Sequence, residues 1–313
     1  MPKINLLNPH QPLSTKKIKS LEMNSSAEIK NMVREKYSQI ALQDKATNAA
    51  SCCGSGTSSY SCYNIMSETY ADLDGYNPDA DLGLGCGLPT EFAKIQPGET
   101  VLDLGSGAGN DCFIARAETG EKGKVIGVDF TPKMIELARQ NAEKLGFNNV
   151  EFRQGDIEDL PVSGDSVDVV VSNCVLNLVP DKAQVFREIF RVLRPGGHFS
   201  ISDVVLRGEL PAKLQEAAEM YAGCVAGAMQ MDEYLEAIRQ AGFEGVSIQK
   251  QKPILVPDDI LLDYLSPEEL REFVFSKTGI FSITVFAEKP GETIKILPVA
   301  AAEKACCQPG CCN

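Results

Sequence analysis

The chain has 313 residues, enough for one large α/β domain with additions or for two small domains. It carries 30 Lys and Arg against 43 Asp and Glu, a net charge of −13. That balance argues against nucleic acid, because no excess of cations is available to displace counterions from phosphates. Only 2 His and no Trp accompany 11 Cys, so any unusual chemistry is to be sought in the thiols.

The N-terminal segment MPKINLLNPHQPLSTKKIKS has no apolar core of signal-peptide length, and no later run approaches a membrane span. A cytoplasmic location with no membrane partner is therefore expected. There the cysteines stand as thiols rather than as a disulfide framework.

Residues 1–27 are polar and predicted to be disordered. Within 28–45, Ile29, Met32, Val33, Tyr37 and Ile40 recur at helical spacing and predict an amphipathic helix. Residues 51–63 form a Gly/Ser/Cys-rich loop, and 64–99 read mostly as loop, with DLGLGCGLP at 81–89. From residue 100 onward, strand and helix patterns alternate. Val101–Leu104, Lys124–Asp129, Val150–Gln154, Val167–Ser172 and His198–Val205 read as strands. Helices are expected over about 111–118, over Pro132–Leu145 with Thr131 as N-cap, and over Lys182–Leu193, closed by Pro195-Gly196-Gly197. Two more helices, about 211–222 and 231–241, lead to strands near 246–251 and 280–288 with helical segments between. The alternation predicts an α/β fold with a doubly wound, mostly parallel sheet. Residues 291–313 read as a flexible tail ending in CCQPGCCN.

The segment Asp103-Leu-Gly105-Ser-Gly107-Ala-Gly109 follows a strand and opens a helix. Glycines let such a turn pass close to a ligand, and the helix N-terminus favours an anionic group. Asp129 ends the next strand, 20 residues after Gly109, where a carboxylate can take both ribose hydroxyls. The spacing GxGxG, with an acid two residues before the first glycine, resembles the class I S-adenosylmethionine methyltransferases more than the nicotinamide enzymes. FRQGDI at 152–157, DSVDVVV at 165–171 and LRPGG at 193–197 extend the resemblance over about 98–290. It implies a seven-stranded sheet and S-adenosylmethionine as cofactor. The N-terminal helix and Cys-rich loop would occupy 28–97, and substrate-binding helices about 207–245. By the same resemblance, Gly105, Ser106, Gly107 and Asn110 border the methionyl part, with Asp103 in the cofactor set. Asp129 takes the ribose, Met134, Asp156 and Ile157 the adenine, and Asn173 faces the sulfonium. Simple core packing is the competing explanation for Met134 and Ile157.

Three thiols fall on this frame where a ligand would sit. Cys174 follows Asn173 at the carboxyl end of the fourth strand, Cys86 lies in a Gly-rich segment before the domain, and Cys224 follows the fifth strand. Converging thiols suggest a soft, thiophilic acceptor. A buried small hydrophobe is the alternative for each, and is the reading preferred for Cys112. At this point the resemblance narrows. LGCGLP at 84–89, LDLGSGAGNDC at 102–112, VSNCVLNLVPDK at 171–182 and MYAGCVAGAM at 220–229 resemble the arsenite S-adenosylmethionine methyltransferases. That family implies As(III) held by Cys86, Cys174 and Cys224, methylated for arsenic detoxification. It also implies a redox cysteine among Cys52, Cys53 and Cys62, with Cys62 favoured, and thioredoxin or glutathione as reductant. A monomer is expected. The four thiols of 306–312 either capture As(III) on a flexible arm or form a dispensable tail. The competing functions are methylation of a carbon or oxygen acceptor, and thiol-based arsenic or metal sequestration without catalysis.

Overall fold

The computed structural model describes residues 26–43, 68–211, 213, 227–255, 261–262, 265–276 and 278–291. Seven strands form one sheet: β1 Thr100–Leu104, β2 Lys124–Asp129, β3 Val150–Gln154, β4 Val167–Asn173, β5 Leu193–Arg207, β6 Glu244–Ile254 and β7 Gly279–Glu288. Their order is β3-β2-β1-β4-β5-β7-β6. The first five pair in parallel, while β7 runs antiparallel to both β5 and β6. The expected α/β fold with a seven-stranded, mostly parallel sheet is what the chain adopts.

Helices α1 Ser26–Ile40, α2 Pro89–Phe92, α3 Asn110–Thr119, α4 Pro132–Leu145, α5 Lys182–Val192, α6 Met231–Gln240 and α7 Pro267–Phe275, with a short 3-10 turn at Leu176–Leu178, complete the described elements. Alternate residues of each strand serve opposite faces. Leu102, Leu104, Ile126, Val128 and Val170 pack with Val185, Phe186 and Ile189 of α5 and Tyr234 and Ile238 of α6. Val101, Val125, Val169 and Val171 pack with Phe113 of α3 and Met134, Ile135 and Ala138 of α4. Parallel strands covered on both faces read as continuous apolar runs, which is why DSVDVVV reads as a strand.

Three local expectations need correction. α1 starts at Ser26 and ends at Ile40 rather than covering 28–45, and Met32 is 55 % exposed rather than part of the buried stripe. Thr131 is the N-cap of α4 and Pro132 its first residue, as expected, although the Thr131 side chain makes no cap bond. Pro195-Gly196-Gly197 does not close α5 as a turn outside the sheet. The register steps from Val167↔Leu193 to Val169↔His198, so Arg194–Gly197 is a bulge inside β5. β6 likewise exceeds 246–251 because two register shifts let it follow β7 along nearly its whole length. The loop at 51–63, nearly all of the helix expected near 211–222 and all but the start of the 291–313 tail lie outside the described residues. Among the described residues, no helix is long and apolar enough to cross a membrane.

The strand order reverses between β1 and β4, since β2 lies on one side of β1 and β4 on the other. In open α/β sheets that switch point opens a crevice beyond the carboxyl ends of the strands. The residues that end β1, β2 and β4 are Leu104, Asp129 and Asn173.

Candidate active site

The Gly-rich turn is held against β2. The Gly105 and Ser106 N–H groups both donate to the Val128 carbonyl, at 2.7 and 3.0 Å. Gly105 has φ +66°, and a Cβ there would run into the Val175 side chain. Gly109, at φ +99°, caps α3, and a Cβ would stand 2.8 and 2.9 Å from the Phe113 and Phe152 rings. Both positions require glycine for conformation and for space. The Asp129 carboxylate accepts from the Gly107 N–H at 3.0 Å and the Thr131 N–H at 2.8 Å. These bonds fix its orientation and leave lone pairs for a diol.

Around this turn lies a cavity open at its mouth. Its wall includes all ten residues assigned to the cofactor: Asp103, Gly105, Ser106, Gly107, Asn110, Asp129, Met134, Asp156, Ile157 and Asn173. Ser106 Oγ, Asn110 Oδ1, Asp111 Oδ1 and Thr131 Oγ1 are buried on that wall without a hydrogen-bond partner. Buried polar atoms are normally satisfied, so four orphans on one wall fit a polar ligand. The Gly turn, the ribose-type acid and the orphans together fit S-adenosylmethionine.

The wall is acidic. Asp111 is half-buried, and desolvation pushes its carboxyl up to about 6, although hydrogen bonds from Asn173 and Tyr70 oppose the shift. Asp103 is pushed well above the usual carboxylate range by burial and by the Asp111 and Asp129 charges. Burial also raises Asp129, against the two backbone bonds it accepts. A cation in the cavity would relieve all three. The Cys112 thiol donates to Asp103 Oδ2 at 3.2 Å and is itself pushed up by burial and that carboxylate. Cys112 is fully buried among Phe113 and Val101, the core position expected of it.

Two of the three cysteines expected to hold the acceptor are described. Cys86 and Cys174 are 1 % and 3 % exposed and belong to one buried cluster with Val204, Leu206, Ile254 and Ile280. Cys174 lines the cavity and has φ +62°, held by its N–H donating to the Ser202 carbonyl at 2.8 Å. A non-glycine residue in the left-handed region costs about 1–2 kcal/mol, and such strain concentrates at functional sites. Cys224, Cys62, Cys52, Cys53 and the tail cysteines lie outside the described residues. His198 is remote from the cavity: its Nε2 contacts the Ala93 carbonyl at 2.6 Å and its ring packs on Phe286.

Sequence reasoning missed Asp111, Tyr70 and Lys30 on this wall. Asp111 carries a detectable signal, since it lies in the first turn of the helix that opens the site. Lys30 looks like an ordinary charge on an amphipathic helix, yet it reaches Asp156 at 2.6 Å and pairs with Glu158. Nothing local marks Tyr70.

Comparison with known proteins agrees with this geometry. A methyltransferase-domain family model matches residues 95–242. An arsenite methyltransferase of Halobacterium salinarum is 44% identical over 264 residues, 80% of this chain and 66% of the relative. One from Aquipseudomonas alcaligenes is 33% identical over 240 residues, 74% of this chain and 67% of the relative. The chain thus spans about two thirds of the length of these relatives. Among solved structures, an arsenic(III) S-adenosylmethionine methyltransferase from Chlamydomonas reinhardtii superposes with a TM-score of 0.56 at 37% identity. That match covers 67% of this chain and 69% of the other. The chain belongs to the arsenite S-adenosylmethionine methyltransferase family.

Proposed function

We propose that this protein transfers a methyl group from S-adenosylmethionine to trivalent arsenic held by the thiolates of Cys86, Cys174 and Cys224, as part of arsenic detoxification. The observation that carries the reading is the burial of Cys86 and Cys174 in one cluster, with Cys174 on the wall of the donor cavity. Two thiols at that place are a soft donor set for a thiophilic acceptor. When bound, the cofactor supplies an electrophilic sulfonium methyl.

Within this reading, Asp129 orients the donor through its ribose, Met134 and Ile157 enclose the adenine, and Asp103 and Asp111 face the cationic end. Arsenous acid exchanges its three hydroxides for three cysteine sulfurs, and the thiol protons leave with the hydroxides as three waters. Arsenic keeps its lone pair, which attacks the methyl carbon while the sulfonium C–S bond breaks and its electron pair returns to sulfur. No general base is needed, so positioning carries most of the acceleration. Arsenic is thereby oxidised by two electrons. A pair of enzyme thiolates, Cys62 among them, returns those electrons by forming a disulfide, and thioredoxin or glutathione reduces it. A monomeric, cytoplasmic protein with an N-terminal arsenic-site segment at 28–97 and a catalytic domain at 98–290 completes the proposal.

The test is incubation with arsenite, S-adenosylmethionine and a thiol reductant, followed by arsenic speciation. Methylated arsenic is expected from the parent protein. Cys174→Ser is expected to lose at least about 100-fold in methylation while still binding the donor, because the acceptor loses one of three sulfurs. Folded, donor-binding protein that yields no methylarsenical would refute the proposal. Unchanged methylation by Cys174→Ser would point instead to a carbon or oxygen acceptor.

A further inference from the structure

The Cys86 loop reaches the active site from outside the sheet, 87 residues before Asn173, and one side chain on β4 holds it there. The Cys86 N–H donates to Asn173 Oδ1 at 3.0 Å. Asn173 Nδ2 donates to the Gly87 carbonyl at 2.8 Å, to Asp111 Oδ2 at 3.3 Å and to the Tyr70 hydroxyl. A backbone N–H on one side and a backbone carbonyl on the other admit only one orientation of the amide. The rest of the loop is fastened from other directions. Ser282 Oγ on β7 donates to the Cys86 carbonyl at 2.6 Å, and the Tyr70 hydroxyl donates to the Gly87 carbonyl at 3.2 Å.

The loop also lies flush on the strand ends. A Cβ on Gly85 would stand 2.6 Å from Asn173 Nδ2, and one on Gly87 2.6 Å from Ser202 Oγ. Neither position can take a side chain without moving the amide or the serine. Among these fastenings, Asn173 and Tyr70 alone also reach Asp111, which lines the donor cavity. Asn173 is the only one that binds both the N–H of Cys86 and the carbonyl of Gly87.

We propose that Asn173 is a positioning residue for the acceptor thiol. By gripping both sides of the Cys86 peptide while touching Asp111, it sets where that thiol stands relative to the donor cavity. This assigns Asn173 a role different from contact with the sulfonium, and it rests on the arsenic reading only for its consequence in catalysis. The motif SNCV then makes sense as a unit, because its Asn places one thiol and the next residue supplies another.

The test is Asn173→Leu, which keeps the approximate volume and removes every bond. Thiol alkylation followed by mass spectrometry reads Cys86 directly, with the fully buried Cys112 as an internal control of folding. Cys86 is expected to label at least about 10-fold faster than in the parent protein, with Cys112 unchanged. Asn173→Asp keeps the acceptor for the Cys86 N–H and is expected to restore part of the slow labelling. It carries the test if the Leu variant does not fold. Cys86 labelling at the parent rate, or Cys86 and Cys112 accelerating together, overturns the proposal. In the arsenic assay, the KM for arsenite is expected to rise more than the KM for the donor in both variants, and the reverse order also overturns it. Labelling needs no arsenic, so a parent protein that fails to methylate refutes the arsenic reading and leaves the placement of Cys86 to be judged separately.

Discussion

Asp111 shows how one carboxylate couples donor binding to pH. Its pKa is raised to about 6 in the folded protein against an ordinary 3.8. The native state therefore holds its proton over a range where the unfolded chain has released it. The donor-free protein loses stability as pH rises from about 4 to about 6, and the penalty is fully present above that window. A cationic ligand reverses the preference, since it favours the ionised carboxylate. Donor affinity is thus expected to increase as pH rises through about 6, in a calorimetric titration series. Asp111→Asn is expected to flatten that dependence and weaken binding roughly 10-fold at pH 7.5. The same variant should raise the melting temperature of the donor-free protein by a few degrees, about 3 °C. A pH dependence left intact in Asp111→Asn would place the titration on Asp103 or elsewhere.

The β1–turn–α3 unit is the element that could be read from the chain. Its short apolar run, its spaced glycines and the acid ending β2 are all local in sequence, and each has a local physical cause. The grouping of Cys86 with Cys174 is different, because it depends on β7 and Asn173 bringing distant segments together, and only their places on the expected methyltransferase frame pointed to it. The bulge at Arg194–Gly197 was misread for a related reason. Pro-Gly-Gly has the local chemistry of a helix stop, but pairing with β4 and β7 absorbs it into the strand. Lys30 escaped notice because its partners, Asp156 and Glu158, lie more than a hundred residues away. For the turn itself, Gly105→Ala is expected to abolish measurable donor binding. The left-handed φ costs about 1–2 kcal/mol with a Cβ present, and the methyl would also displace Val175 on the cavity wall. Calorimetry with the donor, beside a melting curve, separates lost binding from lost folding. Retained affinity would show that the turn adapts.

At the scale of the whole molecule, the charge of −13 and the acidic cavity point the same way. Asp81, Asp103, Asp111, Asp129 and Asp156 line one space and come from separate segments of the chain. The donor enters with a sulfonium and an ammonium, and the demethylated product leaves with one positive charge fewer. Arsenous acid is neutral and is indifferent to the field. Salt separates these cases, because the Debye length falls from about 10 Å at 0.1 M to about 3 Å at 1 M. The long-range share of the attraction is screened, while the contacts with the buried acids largely survive. Donor affinity is therefore expected to weaken several-fold over that range, product affinity to weaken less, and the KM for arsenite to stay nearly constant. Titrations of donor and product at the two ionic strengths measure the difference. Equal weakening of the two ligands would mean that the protein does not sense the sulfonium charge, and the acids would then serve only the ammonium and the ribose.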